Sequence, residues 1–202
     1  NFMSVQGKTW GPMIYKSLQL YKTHYDYSIY PMILQDIKPK TIIELGSGNG
    51  SSAIWMNDLC KSFEINTAIF SLEIEDIKPI LKEKSLYREL VDINFIQGDA
   101  YEIETFFPKE FLEKLDHPWL IIEDCHHNTY DIMVYFHKFL KKNDYIIIED
   151  PDEIDTGNEL EGLSLIKFMK KYNNKYVVDT KYCDFFGKNN CSFPDSIFKF
   201  IA

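Results

Sequence analysis

Two apolar runs that each end in Glu-Asp limit the possible folds of this chain more strongly than any other feature. The first covers residues 119–124 (WLIIED) and the second covers residues 145–150 (YIIIED). Continuous apolar runs are typical of parallel strands that are buried on both faces of a sheet. Ligands of open α/β sheets bind in the crevice at the carboxyl ends of such strands. We therefore expect both Glu-Asp pairs to lie beside one crevice.

Strand and helix patterns alternate along the chain, which predicts a parallel sheet wound by right-handed crossovers. The predicted strands cover residues 41–45, 67–74, 93–97, 119–123, 145–149, 175–180 and 196–201. The predicted helical segments cover residues 13–37, 51–60, 77–84, 107–115, 128–140 and 159–172. We predict a Rossmann-like three-layer α/β sandwich, with a mostly parallel seven-stranded sheet and a C-terminal antiparallel hairpin.

The length of 202 residues fits a single domain with its own core. We expect residues 1–38 to form a helical N-terminal cover and residues 39–202 to form the core that binds ligands. The tyrosines of the cover have two interpretations, an aromatic lid over a ligand or the packed side of a covering helix. They are Tyr15, Tyr21, Tyr25, Tyr27 and Tyr30.

The charge balance argues against nucleic acid and membrane partners. The chain carries 22 basic and 31 acidic residues, which gives a formal net charge of -9. Such a surface repels phosphate backbones and anionic lipid. We find no apolar stretch of bilayer-spanning length and no signal-peptide pattern, and the four cysteines are scattered. We therefore expect a cytoplasmic protein with free thiols.

A glycine-rich turn after the first predicted strand suits a nucleotide-type cofactor. Residues 44–51 read ELGSGNGS, and the glycines at 46, 48 and 50 permit a sharp turn close to a ligand. The helix that begins at Ser51 presents free amide hydrogens at the same place. Because the spacing differs from the dinucleotide pattern GxGxxG, a simple tight turn is the alternative.

Acidic residues after the next two strands suit other parts of such a cofactor. Glu73 ends the second strand, where a carboxylate can accept both hydroxyl hydrogens of a ribose. Asp99 follows the third strand and has two interpretations, a contact to an adenine amino group or a helix N-cap.

Three further carboxylates predict a metal site between neighbouring strands. Asp124, Glu149 and Asp150 end two strands that we expect to lie about 4.8 Å apart. Their oxygens suit Mg²⁺, Mn²⁺ or Ca²⁺ better than zinc. Adjacent strand residues face opposite ways, so Glu149 and Asp150 share a metal only if the chain bends, which Pro151 favours. Solvated loop caps are the alternative interpretation.

The sequence resembles known methyltransferases at these positions. Glu44 and the glycines match the E/DxGxGxG motif of S-adenosylmethionine methyltransferases. Residues 117–127 (HPWLIIEDCHH) and 143–150 (NDYIIIED) are similar to the cephalosporin hydroxylase/rhamnosyl O-methyltransferase family. That family uses the methyltransferase fold with a divalent cation, and its wider relatives are catechol-type O-methyltransferases.

The resemblance implies a role for each candidate residue. It implies that S-adenosyl-L-methionine contacts Glu44, Gly46, Ser47, Gly48, Gly50, Ser51, Glu73, Asp99 and Ala100. It implies Mg²⁺, or Mn²⁺ or Ca²⁺, on Asp124, Glu149 and Asp150. His127, three residues after the strand-end Asp124, is the candidate base, because a neutral imidazole can accept a hydroxyl proton near pH 7. His126 is expected to orient a ligand or to form a structural hydrogen bond.

These features predict a metal-assisted O-methyltransferase. The expected acceptor is a hydroxyl of a small molecule such as a sugar, a polyketide or another natural product. The alternatives are a hydroxylase-type oxidoreductase of the same family and a non-catalytic cofactor-binding module. Two further possibilities stay open, namely that the protein forms a homo-oligomer and that it is a domain excised from a larger synthase. Whether residues upstream of Asn1 belong to the native chain also stays open.

Overall fold

A computed structural model describes residues 13–149, 161–191 and 194–202. The strands are β1 (Met13–Tyr15), β2 (Leu18–Leu20), β3 (Thr41–Leu45), β4 (Ala68–Glu73), β5 (Asn94–Gln97), β6 (Trp119–Glu123), β7 (Tyr145–Ile148), β8 (Tyr176–Val178) and β9 (Ile197–Phe200). The helices are α1 (Asp26–Ile37), α2 (Ser51–Ser62), α3 (Lys78–Glu83), α4 (Glu89–Asp92), α5 (Ile103–Phe106), α6 (Lys109–Leu112), α7 (Thr129–His137), α8 (Glu161–Tyr172) and α9 (Thr180–Cys183).

The main sheet has seven strands in the order β5-β4-β3-β6-β7-β9-β8. The five strands from β5 to β7 run parallel, whereas β9 is antiparallel to both β7 and β8. The strand order reverses at β3, because β4 lies on one side of it and β6 on the other. This arrangement confirms the predicted Rossmann-like fold and places a topological switch point beside the glycine turn.

Apolar residues fill both faces of the sheet. All residues of β3, β6 and β7 are buried, as expected for strands covered on both sides. Alternate residues of β3 divide between the two clusters, with Ile42 in one and Ile43 in the other. The two cores give the predicted three layers, because adjacent strand residues point to opposite faces.

The N-terminal cover differs from the helical segment predicted over residues 13–37. Residues 26–37 form α1, but β1 and β2 form an antiparallel hairpin in which Met13 lies opposite Leu20. Leu18 and Leu20 are buried on either side of a half-buried Gln19, which is the two-residue period of a strand. Lys16 and Ser17 turn the chain with φ values of 47° and 66°, without the glycine or asparagine that usually marks such a turn.

The predicted helix over residues 107–115 is also wrong in its extent. Helix α5 ends at Phe106, and α6 begins after Pro108, whose ψ of 151° is extended. A proline disfavours the helical conformation of the residue before it, which explains the break at Phe107. Among the described residues, we find no helix with the length and apolar character needed to cross a bilayer.

Candidate active site

A cleft of about 400 Å³ lies at the carboxyl ends of the central parallel strands. This volume lies within the usual range for small-molecule sites. Nine of the predicted site residues line it, namely Gly46, Ser47, Gly48, Ser51, Glu73, Asp99, Ala100, Asp124 and His127. Lys22 and Cys125 also line it, although no ligand role was predicted for them, and so does Tyr21, for which an aromatic lid was one of two interpretations. The cleft therefore joins the glycine turn to the strand end that carries Asp124.

The glycine turn requires glycine at two of its positions for different reasons. Gly46 has a φ of 86°, and a Cβ there would lie 2.4 Å from the backbone oxygen of Asp124. Gly48 has a φ of 55° and open space where a Cβ would lie. The first glycine thus lets two strand ends approach closely, whereas the second leaves room for a ligand.

Two predicted cofactor residues of this turn do not line the cleft. A Cβ at Gly50 would lie 2.7 Å from Ile77 Cδ1 and 3.1 Å from Phe95 Cε1. Glu44 is fully buried, and Ser71 donates a hydrogen bond to it at 2.9 Å. Burial raises the pKa of the Glu44 carboxyl above its usual range. Its Oε1 has no hydrogen-bond partner among the described residues, so an acceptor is left unused behind the turn.

Glu73 and Asp99 have defined positions at the cofactor side of the cleft. Glu73 accepts hydrogen bonds from the backbone amides of Gly48 at 2.6 Å and Ile74 at 2.9 Å. A carboxylate has further lone pairs, so these bonds leave capacity for ligand hydroxyls. Asp99 caps the short 3₁₀ turn at Ala100–Glu102 by accepting from the amide of Tyr101. The predicted N-cap is thus confirmed, and the residue also lines the cleft.

A buried lysine lies between the two described carboxylates of the predicted metal site. The Lys22 ammonium is 2.9 Å from Asp124 Oδ2 and 2.5 and 2.6 Å from the two oxygens of Glu149. Only 2% of the Lys22 side chain is exposed. Tyr30 donates a further short hydrogen bond to Glu149. The two acids therefore face one point, and that point holds the Lys22 ammonium group rather than the predicted metal ion.

The electrostatics of this cluster favour one ammonium beside a carboxylate pair. Burial opposes the charge of Lys22, but Asp124 and Glu149 outweigh it and raise the pKa of the ammonium well above its usual range. Burial likewise opposes ionisation of Asp124, yet Lys22 and His126 hold its pKa below the usual value. Burial and the neighbouring Asp124 raise the pKa of Glu149. Ionisation of Glu149 is therefore the costly step, and the lysine offsets that cost.

The third predicted metal ligand, Asp150, lies outside the described residues, as does Pro151. Within residues 13–149, 161–191 and 194–202, no group of three or more His, Cys, Asp or Glu side chains is arranged to hold a metal ion. The oxygen donors of Asp124 and Glu149 suit a hard cation, and the contacts to Lys22 demonstrate that both face one point.

The two adjacent histidines have different surroundings. His127 is exposed at the cleft, with its ring 6.3 Å from that of Tyr101. His126 is half-buried, and its Nε2 lies 3.4 Å from Asp124 Oδ1. Neighbouring Glu123 is buried and accepts from the His126 amide and from Thr129 Oγ1, each at 3.1 Å. Glu123 thus holds the loop that carries both histidines.

The N-terminal hairpin holds Lys22 against both halves of the cleft. The backbone oxygen of Gln19 accepts hydrogen bonds from Asn49 Nδ2 and Ser51 Oγ, both at 2.8 Å. Lys22 follows three residues later and reaches the acid pair. No local motif marks Lys22 or Tyr30 as site residues, because their partners Asp124 and Glu149 lie 102 to 127 residues away. The alternation of Leu18, Gln19 and Leu20 is the one signal that could have revealed the strand before Lys22.

Comparison with known proteins agrees with this fold. The family model described as Rhamnosyl O-methyltransferase/CmcI matches residues 8–181. The solved structure of CmcI-D160 with Mg and SAM is 26% identical, with a TM-score of 0.76 over 96% of this chain and 78% of that chain. The CmcI-N160 apo structure is 24% identical, with a TM-score of 0.77 over the same shares.

A more distant match has the same fold. The O-methyltransferase from Bacillus cereus in complex with SAH is 14% identical, with a TM-score of 0.60 over 99% of this chain and 88% of that chain. No curated protein sequence matches the chain significantly. The extent of the family match decides the class: the chain belongs to the rhamnosyl O-methyltransferase/CmcI family of S-adenosylmethionine-dependent O-methyltransferases.

Proposed function

We propose that this protein transfers a methyl group from S-adenosyl-L-methionine to a hydroxyl of a small molecule, with a divalent cation at Asp124, Glu149 and Asp150. One observation carries the proposal: a single cleft joins the glycine turn to the strand end of Asp124, and Asp124 and Glu149 converge on one cation. The solved CmcI-D160 relative binds Mg and SAM. When bound, the cofactor supplies an activated methyl group and the cation favours an ionised acceptor hydroxyl.

The residues on the cofactor side bind and orient. The open space at Gly48 fits the methionine part, and Glu44 Oε1 and Ser47 Oγ are buried polar atoms without a hydrogen-bond partner among the described residues. Glu73 is held by two backbone amides and fits the ribose hydroxyls. Asp99 and Ala100 flank the opposite wall, where we place the adenine ring.

The residues on the acceptor side manage protons and charge. His127 lines the cleft near its exposed mouth, and we assign it the removal of the hydroxyl proton. His126 contacts Asp124 and would hold that carboxylate in position. We propose that the acceptor is a sugar, a polyketide or another hydroxylated natural product.

Calorimetry with S-adenosylhomocysteine tests the cofactor assignment. We expect the purified protein to bind it, and Glu73→Ala to weaken binding by about tenfold or more through loss of two ribose hydrogen bonds. Glu75→Ala is the matched control, because Glu75 is a neighbouring exposed acid outside the cleft lining. Absence of binding to the wild-type protein at high ligand concentration would reject the proposal.

The metal assignment needs a separate measurement. Hydroxylated natural products should be screened with labelled S-adenosylmethionine to find an acceptor. EDTA should then abolish methyl transfer while the thermal unfolding transition remains cooperative. Full turnover in EDTA would reject metal assistance and leave the methyltransferase assignment intact.

A further inference from the structure

Lys22 occupies the space in which the acid pair would hold a divalent cation. Its ammonium lies within 2.9 Å of three oxygens from Asp124 and Glu149. Two cations cannot share that space, because they repel each other and compete for the same oxygens. A divalent cation that binds both acids must therefore displace the lysine side chain.

The backbone next to Lys22 is tied to the cofactor side. Gln19 accepts hydrogen bonds from Asn49 and Ser51 of the glycine turn. Leu18 and Leu20 are buried in the core, so this anchor is firm. Tyr21 and Lys22 then line the cleft itself. When Lys22 leaves the acid pair, only the short segment between the hairpin and α1 is therefore able to move with it.

We propose that Lys22 is the resident cation of the acid pair, which a divalent cation must displace, so that residues 18–22 link the metal site to the cofactor cleft. The proposal rests on the metal assignment in the proposed function. The lysine prevents repulsion between buried Glu149 and partly buried Asp124 when no metal is bound, and its departure makes room beside Asp124.

A second lysine of the same hairpin provides a matched control. Lys16 also contacts two carboxylates, Asp58 and Glu89, each at 2.7 Å. Its side chain is 35% exposed, and neither acid lines the cleft. Lys22→Met and Lys16→Met therefore remove the same charge from similar partners at different places.

Titration calorimetry with MgCl₂ compares the two variants with the wild-type protein. We expect Lys22→Met to bind Mg²⁺ about tenfold or more tightly than the wild-type protein, and Lys16→Met to bind it like the wild-type protein. A gain smaller than about threefold, a loss of affinity, or no Mg²⁺ binding by wild-type protein and Lys22→Met alike would overturn the proposal.

Hydrogen exchange on the wild-type protein decides the case in which Lys22→Met fails to fold. Added MgCl₂ should speed amide exchange in the peptide covering residues 18–26, compared with NaCl at the same ionic strength. Unchanged exchange under Mg²⁺ would overturn the proposal. S-adenosylhomocysteine binding is measured on the same samples, so a failure of the cofactor assignment is seen separately from a failure of this one.

Discussion

The two halves of the cleft are built in different ways. The cofactor half is shaped by backbone: Gly46 lets two strand ends approach closely, and Gly48 leaves open space while its amide donates to Glu73. The acid half consists of side chains from three distant segments, in which Lys22 and Tyr30 converge on Glu149. The cofactor half is therefore open in the structure, whereas the acid half is closed around its own lysine.

This difference separates two kinds of site. A backbone turn is fixed by the local chain and keeps its shape without a ligand. A buried charge cluster depends on all of its members, because removal of one leaves the others unpaired. We therefore expect mutations in the acid half to cost more stability than mutations in the cofactor half, and the following variants test that order.

The largest loss of stability is expected for Lys22→Met. Without the ammonium, buried Glu149 and partly buried Asp124 lose the cation that they share, which costs about 3–5 kcal/mol. Lys16→Met should cost about 0–1 kcal/mol, because its partly exposed ion pairs are screened by solvent. Urea denaturation of both variants in EDTA measures the two losses. Equal losses would remove the distinction between the buried and exposed clusters.

A smaller loss is expected for Gly46→Ala, at the contact between the two halves. Alanine must adopt a φ of 86° and place its Cβ 2.4 Å from the Asp124 backbone oxygen. Together these effects should cost about 2–4 kcal/mol. Gly48→Ala provides the comparison, because its Cβ meets no atom within 4 Å and only the backbone strain remains. If both variants unfold at the same urea concentration, the close approach of the two strand ends carries no energetic weight.

The same contrast explains how much of the molecule could be predicted from its sequence. Strands β3 and β6 were predicted to the residue, because their apolar runs are bounded by charge or glycine. The strand order brings Asp124 and Glu149 together, as the paired Glu-Asp endings indicated. Glu73 also lies in the cleft that its position at the end of β4 predicted.

The remaining features depend on contacts that no local pattern records. The hairpin was missed because Lys16 and Ser17 form its turn without the usual residues. The position of Lys22 follows from the packing of Leu18 and Leu20 and from the bonds to Gln19, which are long-range contacts. Tyr25 and Tyr30 are buried, which fits the packed covering helix, whereas Tyr21 is exposed and lines the cleft.

A pH dependence is expected for Glu44→Gln. Burial raises the native pKa of Glu44, so ionisation of this carboxyl destabilises the folded state once the pH exceeds about 4, its ordinary value. The glutamine variant should be more stable than the wild-type protein at pH 7, by roughly 1.4 kcal/mol for each unit of pKa shift, and this advantage should vanish below about pH 4. Urea denaturation across this range measures it.

The result for Glu44→Gln is sharpened by its effect on binding. The variant loses a negative charge behind the turn, so its affinity for S-adenosylhomocysteine should fall although its stability rises. A variant that is both less stable at pH 7 and unchanged in affinity would contradict two claims, that ionisation of Glu44 destabilises the fold and that Glu44 contributes to cofactor binding.

The smallest effect on stability is expected for His127→Ala, although its effect on catalysis should be large. His127 is exposed, so its removal should change the free energy of unfolding by less than about 0.5 kcal/mol. Affinity for S-adenosylhomocysteine should be kept, while turnover with an identified acceptor should fall by about 10² or more through loss of the base. His126→Ala is the comparison, because His126 contacts Asp124 and its removal should lower turnover through the position of that carboxylate rather than through loss of the base. If His126→Ala loses turnover and His127→Ala keeps it, the proton acceptor belongs to the acid half. The assignment of the base to His127 in the open half is then wrong.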